Sequence, residues 1–141
     1  MQKKYTLKVY PAGFGREVYR VIEISGKHSL DDLCEAILSA YNFDDDHLYE
    51  FCMDNKKYSE HSYRLESEDG RPSTRVQLDK IGLVMKQKFS LHYDFGDDWM
   101  FTITVQKIEE TSEKIETKII KEKGFVSQYI DWDEENLYEI E

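Results

Sequence analysis

Four side chains able to ligate a cation or move a proton fall close together in this chain: His92, Asp94, Asp97 and Asp98, in and just before the string Tyr93-Asp94-Phe95-Gly96-Asp97-Asp98-Trp99. His92 and Asp94 stand two residues apart on a candidate strand, so alternation puts them on one face. A turn of aspartates beside them could gather oxygens around Mg²⁺, Mn²⁺ or Ca²⁺, and a metal held there would serve a hydrolase or a nuclease-like reaction. The competing account is that Asp in a turn hydrogen-bonds its own backbone, with Gly96 easing the reversal, and the string is then structural. Tyr93 and Trp99 flank the turn and could stack a ligand, although the alternation aims both at the core. These seven residues are the candidate binding set: His92, Tyr93, Asp94, Gly96, Asp97, Asp98 and Trp99. No metal site is assigned, and no cofactor is expected.

The remaining chemistry is sparse. Asp94-Phe95-Gly96 matches the letters of a kinase metal-binding motif, but no Gly-rich phosphate loop, strand lysine or catalytic loop accompanies it. Asp44-Asp45-Asp46-His47 lacks the alternating ligands, the glycine and the closing glutamate of a calcium loop, and reads as a charged cap on the next element. No nucleophile elbow, zinc-protease, phosphate-loop or dinucleotide motif occurs, and the four histidines are scattered. Cys34 and Cys52 share no metal-ligand spacing, which favours a reducing compartment and a cytoplasmic location. A binding role is therefore expected in preference to an enzymatic one.

The elements that must position the turn follow from periodicity. Tyr5, Leu7 and Val9 alternate with polar residues and stop at Pro11-Ala12-Gly13, which predicts a strand and a turn. A second strand over 18–24 puts Val18, Ile22 and Ile24 on one face with Arg20, whose stem can pack while its guanidinium reaches water. Ser29 can cap a helix over 30–41 in which Leu30, Leu33, Cys34, Ile37, Leu38 and Tyr41 form one apolar stripe. A third strand follows over 48–53. Residues 54–75 read as a long loop, and Ser73 or Thr74 can cap a short helix ending near Gly82. Phe89, Leu91, Tyr93 and Phe95 then alternate before the Asp-rich turn, as Trp99, Phe101, Ile103 and Val105 do after it, which predicts a β-hairpin with one face in the core. A last strand is expected over 115–121, and an acidic, aromatic tail over 124–141. The expected fold is α+β in one compact domain over 1–141: a ββαβ unit, a short helix and a β-hairpin, with a mixed sheet packed against the helix.

Composition limits the partners. The chain has 141 residues, enough for one core without disulfides or metal, and a net charge of −10. That field repels phosphate backbones and anionic membrane surfaces. The basic segments Lys3-Lys4, 86–88 and 114–123 are short or interrupted and read as solvated strand faces and edges. A protein partner with a basic surface is thus expected, and neither nucleic acid nor a membrane is. No stretch approaches the roughly 20 apolar residues of a membrane span.

Three segments carry a family resemblance: VYRVIEI at 18–24, SLDDLCEAILSAYNFDDDHLYEF at 29–51 and, most specifically, FSLHYDFGDDWMFTITVQKI at 89–108. Together they resemble the plasmid pRiA4b ORF-3-like family. The resemblance implies a compact α+β domain of a kind often encoded on plasmids and mobile elements, without an established activity. Relatives commonly carry a His two residues beyond the Trp and a downstream Cys-Pro-Pro-Glu-Asp segment. Phe101 and the stretch KGFVSQYIDWDEE at 123–135 stand in those places here, so a role for either feature in relatives does not carry over. The expectation is a non-enzymatic protein-binding accessory module, with the metal-dependent hydrolase or nuclease-like reading as its alternative and nucleic-acid binding as a third.

Overall fold

A computed structural model describes residues 1–58, 60–64 and 73–128. Its elements run β1 (Gln2–Pro11), β2 (Tyr19–Ser25), α1 (Leu30–Ala40), β3 (Tyr49–Cys52), β4 (Ser62–Arg64), a single 3₁₀ turn at Leu78–Lys80, β5 (Lys88–Tyr93), β6 (Trp99–Thr111) and β7 (Lys118–Lys123). The strands form one open seven-stranded sheet in the order β4-β3-β5-β6-β1-β2-β7. Every neighbouring pair is antiparallel, so the expected mixed sheet is corrected to an all-antiparallel one. The physical reason lies in the connection through α1. It joins β2 to β3, which run in the same direction, but places them on opposite sides of β1, β6 and β5, so they never pair.

Helix α1 begins where its chemistry requires. Ser29 accepts from Asp32 N at 3.1 Å and Asp32 returns the bond by accepting from Ser29 N at 3.0 Å, a reciprocal capping box. Its apolar stripe, Leu30, Leu33, Cys34, Ile37 and Leu38, is buried on the sheet. Cys34 is 1% exposed within the core, where burial raises its thiol far above its ordinary range and Asp45, Asp31 and Glu35 add to the effect. The helix-side core also takes Tyr5, Leu7 and Val9 from β1, Ile22 and Ile24 from β2, Phe51 from β3, Phe89, Leu91 and Tyr93 from β5, and Phe101, Ile103 and Val105 from β6.

Arg20 departs from expectation. Its guanidinium does not reach water: Nε donates to Ala40 O at 3.0 Å, and one terminal nitrogen donates to Tyr19 O at 2.9 Å and Lys123 O at 3.0 Å. The group also lies 4.6 Å from the Tyr41 ring centroid, and its bond to Ala40 O satisfies a carbonyl at the negative end of α1.

Three other expectations are revised. The short helix before Gly82 is only the 3₁₀ turn at Leu78–Lys80. The long loop over 54–75 contains β4, whose three residues were too few to show a period; residues 59 and 65–72 of that loop lie outside the described residues, as does the tail from 129. Phe95 does not join the core with Phe89, Leu91 and Tyr93, because Asp94 adopts φ 60° and breaks the alternation, turning the Phe95 ring to the opposite face beside His92. Among the described residues no helix is long and apolar enough to cross a membrane.

Replacing the cap, Ser29→Ala, is expected to cost about 1 kcal/mol of stability in urea denaturation, with little change in slope. A Phe101→Ala change in the same assay is expected to cost about 3–5 kcal/mol, because it empties the contacts of a fully buried ring.

Candidate functional site

Strand β5 sets the site. Its register pairs Glu50 of β3 with His92, and His92 with Met100 of β6, so Glu50 and His92 are cross-strand neighbours on the sheet face opposite α1. That face would ordinarily meet water. Here Ser90, His92, Glu50 and Cys52 are all 0% exposed. The covering comes from the segment after β3, where Asn55 and Tyr58 both hold left-handed backbones, at φ 62° and 54°. The Asn55 amide group accepts from the Ser90 hydroxyl, and the Tyr58 ring sits edge-on over His92 with centroids 5.0 Å apart. Phe95 closes the other side, 4.9 Å from the imidazole.

Inside this enclosure His92 bridges two carboxylates. Its Nδ1 lies 2.7 Å from Glu50 Oε2 and its Nε2 lies 2.7 Å from Asp98 Oδ1. Each of those contacts needs one proton between its partners, so the three groups share two protons. Glu50 Oε2 also accepts from Tyr58 N at 3.0 Å, while Oε1 stands 3.3 Å from the Arg64 guanidinium, an ionic contact without hydrogen-bond geometry. At the outer end the hydrogen bond from His92 holds the Asp98 carboxyl below its ordinary range, against partial desolvation, and Lys57 at 3.9 Å adds to the depression.

The turn is fixed by its own aspartates as well. Asp94 Oδ1 accepts from Gly96 N at 3.1 Å and Asp97 N at 3.4 Å, and Asp98 N donates to Asp94 O at 2.6 Å. Asp94 and Asp98 both occupy the left-handed region, which a short polar side chain tolerates better than most. His47 Nε2 lies 3.5 Å from Asp94 Oδ2 and 3.1 Å from Asp46 Oδ1, which links the turn to the Asp44–Asp46 run. The Tyr93 hydroxyl gathers that run, accepting from the amides of Asp46 and His47 and donating to the Asp44 carbonyl.

The seven predicted residues therefore separate. His92, Asp98 and, through its turn, Asp94 belong to one braced unit. Tyr93 is buried and structural, and Trp99 packs on Phe43 and Phe101. Asp97 and Gly96 are exposed at the tip. Among the described residues no three His, Cys, Asp or Glu side chains form a group that could hold a metal ion. Sequence reasoning missed Glu50, Asn55, Lys57, Tyr58 and Arg64. For Glu50 a signal existed: alternation in β3 sends Phe51 inward and leaves Glu50 on the face that His92 occupies in β5, but pairing the two needs the register.

A family model for plasmid pRiA4b ORF-3-like protein matches residues 3–140. The chain belongs to that family. A crystal structure of a protein of unknown function from Methanosarcina mazei Go1 superposes with a TM-score of 0.66 at 25% sequence identity, covering 84% of this chain and 68% of that one. No curated protein matches the chain. For this member of the pRiA4b ORF-3-like family, the braced turn is thus read from its own geometry.

Removing the bridge should be costly: His92→Ala leaves Glu50 enclosed without its partner and is expected to lose about 3–5 kcal/mol in urea denaturation. The pH dependence has a definite sign. Because the folded-state value of Asp98 is depressed, its contribution is present above the ordinary carboxylate range and is lost as pH falls through the folded value. The stability gap between wild type and Asp98→Asn should accordingly be open at neutral pH and close in acid. A gap that stays constant with pH would show that the Asp98–His92 contact does not carry it.

Proposed function

We propose that this domain is a non-enzymatic accessory module that binds a protein, presenting the YDFGDDW turn to a basic segment of its partner. The reading rests on one observation: a fully enclosed imidazole and carboxylate, His92 and Glu50, are committed to holding an exposed turn in place. Both ring nitrogens of His92 face carboxylates at hydrogen-bond distance, so the ring is engaged as a brace. Fixing a loop before binding removes the ordering cost that association would otherwise carry.

The surface around the brace has the composition of a recognition patch. Tyr58 is 57% exposed above His92, and Leu48, whose carbonyl accepts from Asp94 N, is 64% exposed. Asp44, Asp45, Asp46, Asp97 and Asp98 are exposed at this end of the sheet, with His47 and Lys57 beside them. Apolar contact at Tyr58 and Leu48 would supply the desolvated centre, and the carboxylates would supply steering and register toward Lys and Arg.

The test uses immobilised peptide arrays, one set rich in Lys and Arg and a matched set rich in Asp and Glu, probed with the whole chain. Preferential binding to the basic set is expected, falling about tenfold in a Tyr58→Ala/Asp97→Ala variant whose circular dichroism is unchanged. Equal retention on both sets, or undiminished binding by the folded variant, would overturn the reading.

A further inference from the structure

The charge of this protein is segregated. On the same sheet face as His92, but at the opposite end of β5, the strand registers assemble a row that no sequence segment contains. Lys88 of β5 pairs with Thr104 of β6, Thr104 with Lys8 of β1, Lys8 with Val21 of β2, and Val21 with Lys121 of β7. Cross-strand partners share a face. Three lysines therefore stand on alternate strands of one line across the sheet, about 10 Å apart for a strand spacing of about 4.8 Å.

A second line lies beside it. Tyr10 pairs with Thr102, and Tyr19 pairs with Lys123. The Lys8 ammonium sits 5.4 Å from the Tyr10 ring centroid and 4.8 Å from that of Tyr19, and Lys121 is 5.8 Å from the Tyr19 ring. Two clefts meet at Lys8. One, of about 520 Å³, is bounded by Tyr10, Arg16, Lys88 and Thr104, with Glu17 as its carboxylate; the other, of about 340 Å³, is bounded by Tyr19, Gln106 and Lys121.

These cations are unlike the others on the face. Lys4, Lys107 and Lys118 are taken up by Glu23 and Glu109. Among the described residues, Lys8, Arg16, Lys88, Lys121 and Lys123 have no carboxylate within ion-pair distance. The cross-strand partners of the four lysines among them on this face are Thr104, Val21 and Tyr19.

We infer that this face is a binding platform for single-stranded nucleic acid, with phosphates along the row of Lys88, Lys8 and Lys121 and bases against Tyr19 and its cleft. Aromatic rings beside a line of unpaired cations, on a broad sheet, is the arrangement that binds single strands with little sequence preference. The row spans about 19 Å, which suits a site of about four nucleotides. A phosphopeptide would offer one dianion to a line of three lysines. A membrane surface would call for apolar groups able to insert, and of the residues that line the two clefts only Ile120 is an exposed large apolar side chain. The overall charge of −10 opposes any polyanion, so binding must come from this local field and must weaken steeply with salt.

The experiment is fluorescence anisotropy of labelled oligothymidylate and oligouridylate with the whole chain, over a range of salt concentrations. Binding at low salt is expected, with the slope of log affinity against log salt falling by about 2 in a Lys8→Gln/Lys88→Gln/Lys121→Gln variant. Tyr19→Ala should weaken binding about tenfold at fixed salt. Asp97→Ala, at the far end of β5, should not weaken it. No binding at low salt, an unchanged slope in the folded triple variant, or equal binding of polyglutamate or phosphatidylserine vesicles would overturn the inference.

Discussion

A strand buried on both faces is ordinarily apolar on both. Beyond Lys88, strand β5 is buried on both and is apolar on one only: Phe89, Leu91 and Tyr93 face α1, while Ser90 and His92 face the other way and are just as enclosed. Every polar atom on that second side must then find a partner within the protein, since an unsatisfied one costs as much as a lost hydrogen bond or more. Glu50, Asn55, the Tyr58 amide and Asp98 meet that demand. The left-handed backbones at Asn55, Tyr58, Asp94 and Asp98 follow from it, because the covering loop and the turn must approach β5 closely enough to bond to it. Unfavourable backbone conformations persist only where the surroundings over-determine them, and here a buried imidazole supplies much of that determination.

The parts of this fold that were legible in the sequence are those whose cause is local. The capping residues and apolar spacing of α1, the alternation in β1 and β6 and the Asp-Gly chemistry of the turn all act within a few residues, and each element lies close to where its pattern places it. The misread parts have non-local or single-residue causes. Phe95 follows a perfect alternation, which one left-handed residue before it defeats. The pairing of β3 with β5 rather than with β1 or β2 depends on how α1 crosses the sheet, and that pairing alone brings Glu50 to His92. Arg20 appeared as a residue reaching for solvent because nothing near it in sequence marks Ala40 O and Lys123 O as its acceptors.

Net charge misleads in the same way. A total of −10 describes the far field, whereas binding responds to the near field. Antiparallel pairing gathers residues from five strands into one row, so Lys8, Lys88 and Lys121, each unremarkable in its own segment, line up across the sheet. The acidic turn and this basic row lie at opposite ends of β5, which gives one small sheet two electrostatically distinct surfaces.

The three bonds of Arg20 bear on how the molecule opens. Strand β7 is exposed along its whole length and pairs with β2 alone among the described strands, the usual profile of an edge that peels away first. Yet the guanidinium that holds the Lys123 carbonyl also holds Ala40 at the end of α1, from a backbone position inside β2. Detaching the strand takes the Lys123 carbonyl and the Glu122 carboxylate, 3.7 Å from Nε, away from a buried cation whose remaining acceptors are Ala40 O and Tyr19 O. Fraying at this margin therefore raises the cost of keeping that cation buried, and the helix end that it satisfies shares in the cost.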